Sequence, residues 1–204
     1  MDKIITISRE YGAGGHSIGQ QVAKELGIPF YDRDILKATV QTSGFDPDMV
    51  EHDQEDVSST NFFFKSICSF ADASFSDTQD AIHDVQKAVI LHFAKEGPCV
   101  ILGRCGDYVL RERPDVLRVF VYAPKEWRLE YAKTNPLVKA KDEKGIKDEV
   151  EKTDRNRSAY YNYYTQNRWG DAHNYDLAIN AALGRETCVK MILDAAAAKE
   201  KNLG

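Results

Sequence analysis

No apolar run in this 204-residue chain approaches the roughly 20 residues of a membrane-spanning helix, so no membrane association is expected. Cysteine is sparse: Cys68, Cys99, Cys105 and Cys188 show neither CxxC nor Cys/His spacing, which excludes a zinc site of the usual kind and leaves four free thiols as the expectation. No basic segment followed by an apolar stretch precedes the first predicted strand, so a signal peptide is not expected and a reducing cytoplasm is the expected compartment. Excess positive charge is missing too. With 27 Lys+Arg against 32 Asp+Glu the formal net charge is −5, which argues against a general nucleic-acid binder while leaving room for a local basic pocket. The most specific absence is a lysine. "IITISREYGAGGHSIGQQVAKELG", Ile4 to Gly27, reads as strand, glycine-rich loop and helix, yet a loop of the GxxxxGK[ST] type would carry Lys where Gly15-His16-Ser17 stands.

With 43% apolar and 29% charged residues, the chain has the composition of a globular protein and the length for one well-buried core with a small insertion. Five short segments read as strands: Lys3–Ser8, "IPFYD" ending at Asp32, Pro98–Leu102, Val116–Tyr122 and Tyr175–Asn180. Between them lie helical patterns. Ile18, Val22 and Leu26 make an apolar stripe stopped by Gly27 and Pro29, "PKEWRLEYAKT" follows Pro124, and "RETCVKMILDAAAAKEK" closes the chain. Arg33 to Gly97 reads as mostly helical, broken at Pro47 and at "SST". Within it "NFFFKSICSFADASF" holds five of the nine phenylalanines, read as core or as a contact in a homo-oligomer, with base stacking the lesser reading.

Strands alternating with helices imply an α/β fold with a parallel sheet covered on both faces, whose ligands bind at the carboxyl ends of the strands. Arg9, Arg33, Arg104 and Arg128 all follow strands and are expected to converge on that edge. Gly12, Gly14 and Gly15, with Ala13 between them, leave the backbone open for successive N–H groups to surround an anion, helped by the positive end of the next helix. Ser17 then stands where a hydroxyl could bind Mg²⁺ or phosphate, or merely cap the helix. A competing dinucleotide-binding reading uses Gly12-x-Gly14 and Asp32 as the ribose contact. Its third glycine position is Ser17, however, and "SREY" lengthens a turn that should be tight.

Three segments in order, "ITISREYGAGGHSIGQQVAKELGIPFYDRDIL", "VILGRCGDYVLRERPDVLRVFVYAP" and "KTDRNRSAYYNYYTQNRWGDAHNYDLAIN", resemble the cytidylate kinase-like proteins, relatives of the nucleoside monophosphate kinases. The resemblance covers nearly the whole chain. It implies a three-layer P-loop kinase fold of one domain, with a mainly parallel five-stranded sheet in a core of residues 1–32, 98–134 and 161–204. A helical acceptor-binding insertion would occupy roughly residues 33–97 and a basic lid roughly residues 135–160. It implies ATP and Mg²⁺ as cofactors, and cytidylate or another small phosphate acceptor as substrate. Gly103-Arg104 matches the family's Gly-Arg-Asp, with Cys105 in place of the aspartate and Asp107 near enough to substitute. Asp32-Arg33-Asp34 stands where Asp-Ser-Gly is expected. By this resemblance Asp32, Arg33, Lys37, Arg104 and Asp107 hold the acceptor, while Arg128, Arg155 and Arg157 serve the transferring phosphate. Residues two apart on a helix do not share a face, so only one of Arg155 and Arg157 is expected to reach it; the alternative for this run is a solvated face with pairs such as Glu151–Arg155.

Phosphoryl transfer rests on positioning and charge neutralisation, so another cation can take the lysine's place. Arg9 is the first candidate and His16 the second, being neutral for much of the time near pH 7. The reading is therefore an ATP-dependent phosphotransferase. A nucleotide sensor that kept the fold and lost the chemistry is the alternative, and a dinucleotide-dependent oxidoreductase a lesser one.

Overall fold

The computed structural model describes residues 3–32, 78–135 and 138–201. Strands β1 (Ile4–Arg9), β2 (Phe30–Tyr31), β3 (Cys99–Leu102), β4 (Val116–Tyr122) and β5 (Leu177–Asn180) form one sheet in the order β2-β3-β1-β4-β5. Every neighbouring pair is parallel, with Ile4 opposite both Cys99 and Val116. The described helices are α1 (Gly15–Leu26), α2 (Thr78–Glu96), α3 (Gly106–Val109), α4 (Lys125–Thr134), α5 (Glu143–Thr165) and α6 (Arg185–Lys201). Short 3₁₀ turns at Ala172–Asn174 and Ala181–Leu183 flank β5.

The two-residue period of β1 sets the layers. Ile5 and Ile7 pack with Ile18 and Val22 of α1 and Cys188, Val189 and Ile192 of α6. Ile4 on the opposite face packs with Val89, Ile90 and Ala94 of α2 and with Leu110 beyond α3. A sheet covered on both faces needs apolar residues at consecutive positions, which is why "IITI" and "VLRVFVY" read as runs and not as alternations. Each wholly buried Ile or Leu in these clusters contributes about 1.5–3 kcal/mol over its exposed state.

Helix α1 begins and ends on left-handed glycines, Gly14 (φ 73°) and Gly27 (φ 65°), and the Gly27 N–H bonds back to the carbonyls of Ala23 and Lys24. Ser17 is not its cap. Strand order also disposes of the dinucleotide reading, since that fold arranges its strands 3-2-1-4-5-6 and this sheet runs 2-3-1-4-5. Cys99, Cys105 and Cys188 are buried free thiols, as expected. Cys68, the phenylalanine cluster, Pro47, and the acceptor candidates Arg33 and Lys37 lie outside the described residues.

Candidate active site

Because all five strands run the same way, the segments after them gather at one edge. The chain leaves β1 for α1 on one face of the sheet and leaves β3 for α3 on the other, opening a crevice between the two strand ends. The glycine loop sits at this crevice. Gly12 (φ 78°) and Gly14 take left-handed conformations, and a side chain on Gly12 would come within 2.8 Å of the Arg128 carbonyl oxygen. The first N–H groups of α1 have no helical partners of their own, and no side chain caps the helix at Gly14.

Two clefts flank the loop. One is a narrow crevice of about 10 Å³, about the room of one water, bounded by Ser8, Arg9, Arg104, Arg157, Tyr160 and Trp169. The Arg157 guanidinium donates to the Arg9 carbonyl at 3.1 Å and lies 5.5 Å over the Tyr11 ring. Gly103, Arg104 and Cys105 take three successive left-handed conformations (φ 75°, 55° and 54°), uncommon for the two non-glycine residues and a local cost at the mouth of the crevice. The other is a cavity of about 280 Å³ lined by Gly14, Ser17, Trp127, Tyr131, Ala181 and Arg185. Its Trp127 and Tyr131 rings, one helical turn apart on α4, stack at 5.3 Å and 9°.

Arg9, Arg104 and Arg157 thus come together, and other candidates do not. Arg128, expected at the transferring phosphate, has a side chain only 10% exposed. It is paired with Asp154 and with Glu10 at 3.3 Å, and its Nη1 donates to the Tyr11 carbonyl at 3.0 Å. Its charge is committed to holding the loop's entrance. Arg155 is 69% exposed and pairs at 3.8 Å with Glu151, which Lys125 also contacts, so it lies on the solvated side of α5. Asp107, the expected substitute for the missing aspartate, is turned inward: it is 5% exposed and accepts the Tyr161 hydroxyl at 2.6 Å. Burial pushes the Asp107 carboxyl above the usual carboxylate range, opposed by that hydrogen bond, and burial beside Asp107 also raises the Tyr161 hydroxyl.

His16 occupies the lysine's place, and its Nε2 lies 3.3 Å from Asp32, while its ring packs perpendicular to that of Phe30, centroids 5.3 Å apart. Any positive charge on His16 is therefore matched by a carboxylate. The Arg9 stem, by contrast, crosses the start of α1: a Cβ on Gly15 would be 2.7 Å from the Arg9 Cβ and 2.9 Å from its Cγ. The Ser17 hydroxyl donates to the Gly14 carbonyl at 2.9 Å, which leaves its oxygen lone pairs able to accept or ligate. Among the described residues no cluster of three or more His, Cys, Asp or Glu could hold a metal ion.

Sequence reasoning did not single out Trp127, Tyr131 and Arg185, although the four-residue spacing of the two rings was a usable signal. It also passed over Glu10, Tyr11 and Asp154. Below the crevice, Tyr160 and Tyr164 anchor α5 to α2: the Tyr160 hydroxyl lies 2.9 Å from His83 Nδ1, and the His83 and Tyr164 rings stack at 3.7 Å.

Strand order, two-faced helix cover and a glycine loop at the crevice define a P-loop kinase fold. Solved structures agree: an uncharacterized protein from Eubacterium ventriosum ATCC 27560 is 24% identical with a TM-score of 0.70, covering 96% of this chain and 98% of that one. A gluconokinase from Sinorhizobium meliloti 1021 follows at 16% identity and 0.56 (99% and 95% covered), and a shikimate kinase from Bacteroides thetaiotaomicron at 13% and 0.55 (94% and 97%). The chain belongs to the Cytidylate kinase-like family, whose sequence profile matches residues 4–182. No curated protein matches it.

Proposed function

We propose that this protein transfers the terminal phosphoryl group of ATP to a small acceptor. The observation that carries the reading is the position of the glycine loop at the junction of an aromatic cavity and an arginine-lined cleft. In this reading the base lies against Trp127 and Tyr131, near Ala181 and Arg185, and the backbone from Gly12 to Ser17 surrounds the donor phosphates. Arg9 replaces the lysine in this reading, its stem lying against the start of α1 at Gly15. Arg104 and Arg157 face the transferring group and the acceptor from the other side of the cleft, where charge spread over the phosphoryl oxygens needs neutralising. Bound through Ser17, Mg²⁺ would add charge neutralisation at the donor phosphates.

The acceptor is a small molecule that tolerates arginines around it, with cytidylate suggested by the family and hydroxylated acids by the names of the fold neighbours. Coupled ADP release, measured across nucleoside monophosphates, nucleosides and hydroxy acids, tests the reading. Turnover with any of them supports it. ATP binding with no turnover favours a nucleotide sensor, and a wild-type protein that binds no ATP overturns the proposal altogether.

A further inference from the structure

The entrance of the loop is wedged between α4 and α5 by side chains that no step of phosphoryl transfer requires. The Tyr11 N–H donates to Asp154 Oδ1 at 2.7 Å, and Asp154 Oδ2 takes the Arg128 guanidinium. That same Nη1 holds the Tyr11 carbonyl at 3.0 Å, while Arg128 Nε reaches the Ala123 carbonyl at 3.2 Å and Glu10 at 3.3 Å. Glu10 in turn accepts the Ala123 N–H at 3.0 Å, and the Tyr11 hydroxyl donates to Glu149, which also accepts the N–H groups of Lys139 and Ala140 at 3.1 and 2.9 Å. Asp154 is the junction of this set, its side chain 17% exposed. Three residues on, and so on the same face of α5, Arg157 enters the arginine-lined cleft and bonds the Arg9 carbonyl.

We infer that Asp154 is a positioning residue: it joins the loop's entrance to α5 through Tyr11 and Arg128, so that the course of the loop and the placement of Arg157 are set together. This rests on the proposal that the cleft is where phosphoryl transfer takes place. One carboxylate receives a backbone N–H on one oxygen and a guanidinium on the other, so a displacement of α5 cannot leave the loop undisturbed. Ion pairing alone does not require that arrangement. An amide at the position keeps an acceptor for the Tyr11 N–H and loses the charge that holds Arg128, which separates the two halves of the junction.

The test uses the full chain with D154A, D154N, R157A and the D154A/R157A double variant. With an acceptor that the wild type turns over, kcat in D154A falls on the order of 100-fold, as small misplacements in such sites do, while ATP affinity by calorimetry changes about threefold or less. The double variant is no slower than R157A beyond about twofold, because the two residues act as one unit. Additive losses, or a D154A kcat within about twofold of wild type, overturn the inference. Hydrogen exchange at the Tyr11 amide, read without substrate, accelerates about tenfold or more in D154A and stays near wild type in D154N. Unchanged exchange in D154A overturns the inference whatever the chemistry. Accelerated exchange in a protein that turns over no acceptor supports the junction and counts only against the phosphotransfer reading.

Discussion

Replacing Gly15 by alanine isolates the contact that would let Arg9 stand in for a lysine. Gly15 is the first residue of α1 and has no positive φ, so alanine suits its backbone and even gains up to about 1 kcal/mol of helix propensity. Against this, the new Cβ would sit 2.7 Å from the Arg9 Cβ and 2.9 Å from its Cγ, and also 3.7 Å from Val121. The Arg9 Cβ is fixed by the end of β1 and cannot swing aside like the tip of a long side chain. Overpacking of this kind costs about 1–3 kcal/mol. The net loss is therefore between about 0 and 3 kcal/mol, and the melting temperature should fall by up to about 12 °C for a chain of this size. Moving Arg9 also moves its guanidinium, so ATP·Mg²⁺ should bind about tenfold more weakly, corresponding to roughly 1.4 kcal/mol, less than the whole of a charge-assisted hydrogen bond. Thermal unfolding and calorimetric titration read the two effects separately. In a cycle with R9A, the double variant should bind as R9A does. If G15A binds ATP like the wild type despite the lower melting temperature, Arg9 is not the replacing cation.

Arg9→Ala should weaken ATP binding by roughly 10- to 100-fold, the loss of one charged hydrogen-bond donor, whereas His16→Ala should change it by about threefold or less because Asp32 already offsets that ring; equal effects in the two titrations would refute the distinction. Trp127→Ala should raise the ATP dissociation constant about 2- to 10-fold through lost stacking while leaving kcat nearly unchanged, and a fall in kcat without a change in binding would contradict a base site there. Asp107→Ala strands the buried Tyr161 hydroxyl and should cost about 1–3 kcal/mol in denaturant melts, with ATP affinity kept; a large change in acceptor KM without loss of stability would return Asp107 to the acceptor site. Burial lowers the His83 pKa from its ordinary 6.5, against Asp84 and Asp80 and together with Lys87 and Arg104. The unfolded chain therefore takes up the proton first as pH falls below about 6.5, so stability drops from there down to the folded-state pKa. His83→Gln should flatten that part of a pH series of melting temperatures, and an unchanged slope would exclude His83 as its source.

The fold was legible where one residue's preference sufficed. "VLRVFVY" forms β4 over the whole of its length because an interior strand covered on both faces needs apolar residues at consecutive positions, interrupted here by Arg118, and Gly14 and Gly27 bound α1 because few other residues take φ near 70° cheaply. The site was legible only in part. That Arg155 and Arg157 face differently follows from helical spacing, but which one turns toward the loop depends on how Val150 and Tyr161 seat α5 in the structure. Arg128 follows a strand, as a phosphate-binding arginine would, yet its partners Glu10 and Asp154 come from distant parts of the chain and no local pattern announces them. Asp107 is turned inward for a local reason that no sequence pattern announces: the left-handed turn from Gly103 to Cys105 starts α3 at Gly106 and carries the next side chain under Tyr161.

Helix α5 has mechanical consequences as one unbroken element of 23 residues. At 1.5 Å of rise per residue, Tyr161, hydrogen-bonded to Asp107, stands about 6 Å along the axis from Arg157 and about 27 Å from Glu143. It is a lever with its fulcrum close to the load. A pivot of about 10° about that point would carry Glu143 nearly 5 Å and Arg157 only about 1 Å, given rigid helical geometry. Whatever grips the far end of α5 would thus move through a wide arc while making a fine adjustment at the cleft.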